Sequence, residues 1–243
     1  MDHTKAYFSA SQIDGRLPKT TQVYELIRAA IISMRLPPGE AIVEKDICQQ
    51  LGISRTPLRE AVLQLVTENL VVVKPGGGTF VNRIIIRQVL DGQITRDTLE
   101  MRLVRLAARN FPVRFVKDFE VALFRQAGAA EREDVDEFFD LDNEFHHLIC
   151  ICSGFPNCWR TIHGATGQLD RVRRHAFPTE KNFLEVYDEH KLMFESIRRN
   201  DEEGAAVVFQ KQLDSTFGTI EIIRSLSPEL FSDDEKVAVS DIR

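Results

Sequence analysis

The sequence predicts a mainly α fold: a small helical module with a two-stranded wing, followed by an all-α bundle of six helices. Three observations carry this. An apolar period near 3.6 residues recurs in almost every stretch after Thr21, the pattern of helices with one buried face. One pair of short β-branched or aromatic runs, Leu70-Val71-Val72-Val73 and Thr79-Phe80-Val81, flanks Pro75-Gly76-Gly77-Gly78 and reads as a single hairpin. The charge also changes sign along the chain. Between Arg16 and Arg83 nine Lys/Arg face six Asp/Glu, whereas from residue 85 onward 21 face 29, within a total of -6. A basic module on an acidic body is the distribution expected of a nucleic-acid binder joined to a domain with another task.

Residues 1–18 are polar and without period, so a flexible N-terminal arm is expected there, carrying Lys5 and Arg16. Val23, Leu26, Ile27, Ala30, Ile31 and Met34 then mark an amphipathic helix that Leu36-Pro37-Pro38-Gly39 must end. From Glu44 to Glu60 two short helices meet at a tight turn. Leu51 closes the first, Gly52 supplies a left-handed turn residue, Ser54 stands at the N-cap of the second, and Pro57 lies in its first turn. On the second helix Leu58, Ala61, Val62 and Leu65 share one side, while Arg55, Thr56 and Arg59 share another. Three helices and a hairpin over 19–83 make a winged helix-turn-helix, whose second motif helix presents its N-terminal end to the DNA major groove.

Ile84-Ile85-Ile86 leads into the body. Helical patterns cover about 87–109, 113–129, 134–152, 157–174, 179–199 and 202–225, separated by Asn110-Phe111-Pro112, Gly154-Phe155-Pro156, Phe177-Pro178 and Asn200-Asp201. Residues 84–226 are thus expected to form the bundle and 227–243 an acidic, frayed tail. The length suits one large or two modest domains. Cys48, Cys150, Cys152 and Cys158 form no CxxC pair, so reduced thiols in a cytoplasmic chain are expected rather than a zinc finger. No apolar run approaches the roughly 18 residues of a membrane span, and no secretory leader is suggested.

Four motifs occur in one order: Tyr24-Glu25-Leu26-Ile27-Arg28, Leu36-Pro37-Pro38-Gly39-Glu40, the run from Leu51 to Ala61, and Gly78-Thr79-Phe80-Val81. Together they resemble the DNA-binding domain of the GntR superfamily of bacterial transcription regulators. The resemblance implies guanine or phosphate contacts from Arg55 and Arg59, phosphate or base contacts from Ser54 and Thr56, a basic contact from Lys45, and a minor-groove or backbone contact at Gly76. An Arg fork suits guanine O6 and N7. The bland alternative for Arg55 and Arg59 is a solvated face, with Arg59 pairing to the neighbours of Glu60 or to Glu44.

In the body, Asp142 and His146 are four apart and so share a helix face, where carboxylate and imidazole can hold one divalent metal. Alone, such a pair is more often a surface hydrogen bond. Asp142-Asn143-Glu144-Phe145-His146, then Glu189-His190, then the helix opened by Asp201-Glu202-Glu203-Gly204-Ala205-Ala206 resemble the FCD effector domain of the FadR branch. The resemblance implies a divalent metal, zinc among the candidates, on Asp142, His146 and His190. Gln212 stands where the family has a fourth ligand, a histidine, and offers only a harder, weaker carbonyl oxygen. Arg96 and Glu100 match the Arg and Glu that begin the domain. Arg96 is a candidate for an effector carboxylate, with Arg171 and Arg173 as further candidates that an exposed basic helix end would explain equally well. Six helices rather than seven suggest the shorter, VanR-like subgroup.

The expectation is a dimeric regulator, a repressor by the commoner sense of the family, that binds a palindromic double-stranded DNA operator. A small organic acid entering the bundle would control it, with no membrane involved. The rival is a metal-dependent enzyme on the bundle with the winged helix as an accessory. No residue stands out as a general base beside an open metal position. A third reading is an architectural DNA binder with an unliganded dimerisation domain.

Overall fold

The computed structural model describes residues 6–176 and 183–232. The winged module begins with α1 (Lys19–Ile32), which buries Val23, Ile27, Ala30 and Ile31. Helix α2 (Glu44–Leu51) ends at Gly52, whose φ of 65° places it in the left-handed region that the turn requires. Helix α3 (Arg55–Thr67) follows and buries Leu58, Ala61, Val62 and Leu65. Strands β1 (Val71–Lys74) and β2 (Gly78–Val81) pair antiparallel, with Val71 opposite Val81 and Lys74 opposite Gly78. Each fully buried Leu or Ile of this core contributes roughly 1.5–3 kcal/mol of hydrophobic stabilisation.

Residues 6–18 are not a loose arm. The backbone N–H groups of Tyr7 and Phe8 both donate to the Gln50 side chain, at 2.9 and 3.0 Å, and Phe8 is buried against the module. Ser9 and Gln12 close a reciprocal capping box around a short 3₁₀ turn. The partner for this segment, Gln50 on α2, is a tertiary one that a polar leader sequence does not announce. Lys5 lies outside the described residues.

The body starts as one rod: α4 (Ile86–Thr95), a π-helical segment Arg96–Glu100, and α5 (Met101–Arg109). Helices α6 (Val116–Glu131) and α7 (Val135–Cys152) follow, with the Asp134 carboxylate accepting from the Glu137 N–H at the start of α7. The segment expected as one helix over 157–174 is two, α8 (Cys158–Ala165) and α9 (Gly167–Ala176). Among the described residues the body therefore has seven helices, counting the rod as one, and the six-helix expectation that suggested the shorter subgroup does not hold.

The break at Thr166 has a visible cause. Thr166 closes α8 through its N–H to Ile162, and its carbonyl accepts from Asp170 at the start of α9. Gly167 packs so closely on the winged module that a Cβ there would lie 3.1 Å from Leu70 Cδ1. Helices α10 (Phe183–Arg198) and α11 (Glu202–Leu226) complete the bundle. Its core centres on Phe111, Phe119, Phe145, Phe194 and Phe209, with Phe119 stacked on Phe194 at 4.8 Å.

The start of the expected tail is also ordered. Pro228–Leu230 forms a 3₁₀ turn, and Phe231 is buried in a parallel bridge with Ile84 of the interdomain linker. Residues 233–243 lie outside the described residues. Among the described residues no helix is long and apolar enough to cross a membrane.

Candidate functional site

The putting-out of charge on the winged module follows from the period of α3. With Leu58, Ala61 and Leu65 turned into the core, Ser54, Arg55, Thr56 and Arg59 are left exposed on the opposite side. Lys45 is exposed on α2, and Gly76, with φ of 70°, is exposed at the wing tip. Ser54 occupies the N-cap position, yet its hydroxyl makes no capping hydrogen bond, which leaves it directed at solvent. Arg59 donates to Glu44 at 3.0 Å, the pairing anticipated as the bland alternative. Both partners are substantially exposed, so this pair gives way to a phosphate or base at little cost.

Asp142, His146 and His190 converge in the body, with ligand atoms within 4.8 Å of one another and all three residues buried. Asp142 and His146 come from α7 and His190 from α10. Each imidazole has its Nδ1 beside a fixed acceptor. His146 Nδ1 lies 3.0 Å from Glu100 Oε2, and His190 Nδ1 lies 2.9 Å from Gln126 Oε1. The Nε2 of His146 faces Arg96 Nη2 at 3.1 Å, and a guanidinium can only donate, so Nε2 carries the lone pair. His190 Nε2 lies 3.2 Å from the Gln212 amide nitrogen and 3.6 Å from Asp142 Oδ1.

A divalent ion fits this donor set where Arg96 turns its guanidinium away from His146 Nε2. Two imidazoles and one carboxylate are the usual borderline ligands, and Gln126 on His190 Nδ1 is an outer partner of the kind that fixes tautomer and ring. Gln212 Oε1 is buried and has no hydrogen-bond partner among the described residues. It is the one further oxygen that Gln212 could offer.

Two guanidinium groups crowd the same place. Arg96, on the π-helical segment, forms a two-point pair with Glu100 at 2.9 and 3.1 Å. Burial would push the Glu100 carboxyl up, but chiefly the charge of Arg96 outweighs it and holds its pKa at about 2. Asp142 follows the same logic: burial is overcome, chiefly by Arg173, whose Nη2 lies 2.5 Å away, and the carboxyl stays well below its ordinary range. A cavity of about 30 Å³ is lined by Arg96, Asp142, Arg173, Gln212, Thr216 and Thr219 among others.

Arg171 is not part of this pocket. It is fully buried at the boundary with the winged module, where Nη1 donates to the Asn82 carbonyl at 2.9 Å. Its assignment to an effector was a matter of helix phase. On α9, positions 171 and 173 lie on nearly opposite sides, and Arg173 is the one turned to Asp142. Gln126, which orients His190, carried no motif and was not singled out from the sequence.

His163, on α8, is held down to a pKa of about 4 by burial and by the neighbouring Arg28 charge. Its ordinary value is near 6.5, so between these two values the unfolded chain takes up a proton that the folded protein refuses. Stability should therefore fall as pH drops from about 6.5 toward about 4. Urea midpoints at about pH 7 and about pH 5 should differ more in the wild type than in His163→Gln. Equal differences would contradict the assignment.

The chain matches the family described as "Bacterial regulatory proteins, gntR family" over residues 19–81, and the FCD domain over residues 94–214. It is 33% identical over 226 residues to an uncharacterized HTH-type transcriptional regulator in an unstable DNA locus of Streptomyces ambofaciens, covering 92% of this chain and 94% of that one. It is 27% identical to the HTH-type transcriptional repressor RspR of Escherichia coli strain K12, covering 92% and 98%. Among solved structures, that of E. coli McbR/YncC superposes with a TM-score of 0.73 at 23% identity, covering 86% of this chain and 99% of that chain, a likeness of fold. These relatives are transcriptional regulators and not enzymes, so the enzyme alternative has no support from them.

Proposed function

We propose, since the chain belongs to the gntR family of bacterial regulatory proteins and carries an FCD domain, that this transcription regulator is a dimeric, ligand-controlled repressor of a palindromic operator. Ser54, Arg55, Thr56, Arg59, Lys45 and Gly76 are its DNA contacts. The helical body binds a divalent metal on Asp142, His146 and His190, with Gln212 beside them, and a small organic acid whose carboxylate meets Arg96 and Arg173. The observation that carries this is the cluster of Asp142, His146 and His190, whose Asp142 lines a cavity together with the guanidinium groups of Arg96 and Arg173, behind a DNA-binding module. A bound metal would supply a positive centre for an anion, and the arginine forks would orient it.

The repressor sense is supported by the similarity to a named repressor. A dimer is supported by exposed Val121 and Phe124, which share a face of α6. Two-fold symmetry of a dimer imposes an operator with the same symmetry.

The test is saturable retardation of a promoter fragment by the full chain, combined with a thermal-shift screen of organic acids with and without zinc. An acid that raises the melting temperature by mass action should also alter retardation. Absence of any saturable DNA binding at moderate salt would overturn the reading. His146→Ala should reduce bound metal, measured by elemental analysis, to background and abolish the ligand response, while DNA binding without ligand persists. Unchanged metal content would place the metal elsewhere.

A further inference from the structure

Two buried carboxylates face different ways. Asp142 looks into the pocket from α7, and Asp170 looks from α9 toward α1 of the winged module. One side chain spans them: Arg173 Nη2 lies 2.5 Å from Asp142 Oδ2, and its Nη1 lies 3.2 Å from Asp170 Oδ1. The line continues across the domain boundary. Asp170 Oδ2 accepts from Arg28 Nη2 at 3.2 Å and from Thr166 Oγ1 at 3.1 Å. Arg28 also donates through Nε to Glu68 at 3.1 Å and through Nη2 to the His163 carbonyl at 2.7 Å, and Glu68 accepts from the Tyr24 hydroxyl.

The side chains of Arg28, Glu68, Asp170, Arg173 and Asp142 are at most 11% exposed. In such surroundings charges are poorly screened, so a change in one pairing is felt by the next.

The cavity against Asp142 is about 30 Å³. A water needs roughly 10–15 Å³ by this measure, so the space suits an ion or a few waters and not an organic acid. Room for an acid comes from moving a wall, and Arg173 is the wall whose charge an acid would attract. Arg173 cannot turn to a new carboxylate without slackening its hold on Asp170.

We infer that Arg173 is the coupling residue of this protein, linking occupancy of the pocket to the Arg28–Asp170 contact that seats the winged module. When Arg173 is drawn toward a ligand, Asp170 keeps Arg28 as its remaining cation, and the seat of α1 on α9 changes. The inference deepens the proposed function, since the ligand half of it rests on that reading.

The coupling itself is tested on the full chain without ligand or DNA. Amide hydrogen exchange of α1 is measured in the wild type, Asp142→Asn, Arg173→Lys and the double variant. Asparagine keeps the shape and removes the charge. Lysine keeps the charge but lacks the planar fork that reaches both carboxylates. Asp142→Asn should change α1 exchange by about two- to tenfold, although Asp142 lies in the other domain. In the Arg173→Lys background the same substitution should have no further effect. Unaltered α1 exchange in folded Asp142→Asn, or equal changes in both backgrounds, would falsify the coupling.

If Asp142→Asn fails to fold, the cycle runs from the opposite end. Trp159 is the single tryptophan and lines a void beside Arg173. Arg28→Lys should shift its emission by an amount that depends on whether Arg173 is present, and identical shifts in both backgrounds would overturn the inference. Failure of DNA binding or ligand response is read separately, in the retardation assay.

Discussion

Arg28→Ala is expected to destabilise the protein by roughly 3–5 kcal/mol, the loss typical of removing one partner from a buried ion pair. Arg28 is buried on α1 and pairs with Glu68 in its own module and Asp170 in the body. Alanine leaves both carboxylates with a desolvation cost and one cation fewer, and it strands the His163 carbonyl that Arg28 also serves. For a chain of this size the melting temperature should drop by roughly 6–20 °C. Arg28→Lys should recover part of the loss, because it restores charge without the fork that reaches three acceptors at once. A loss below about 1 kcal/mol would mean that the Arg28 ion pairs do not hold the domain boundary.

The second large effect is on DNA. Arg55→Ala should weaken operator binding by about 5- to 150-fold if its fork reads a guanine, from the roughly 1–3 kcal/mol of a bidentate base contact. Arg59→Ala should cost less, because Arg59 must first leave Glu44. The two variants should remain dimeric by light scattering and should melt like the wild type, since both side chains are exposed. Unchanged affinity of Arg55→Ala at moderate salt would remove Arg55 from the interface.

The winged module was legible because its signals are local. Gly52 needs only its own backbone angle, and the phase of Leu58, Ala61 and Leu65 settles which side Arg55 faces. The metal-competent triad was legible through the four-residue step from Asp142 to His146 and the resemblance that added His190. What the sequence concealed depends on tertiary partners. An unbroken period over 157–174 hides the break at Thr166, and the break and the phase of α9 decide that Arg173 rather than Arg171 meets Asp142. The π-helical turn that keeps Arg96 and Glu100 together inside the bundle also has no sequence signature of its own. Tyr7 and Phe8 are fixed by Gln50, some forty residues away in sequence, which no local pattern foretells.

The bridge between Ile84 and Phe231 bears on how the two halves can move. Ile84 N–H donates to the Leu230 carbonyl and Ser232 N–H donates to the Ile84 carbonyl, both at 2.9 Å, so the only covalent connection between module and body is stitched at its midpoint to the far end of the bundle. A tether fixed in this way cannot swing as a free hinge. Any reorientation of the DNA-reading head would then turn about a peptide link of nearly fixed position.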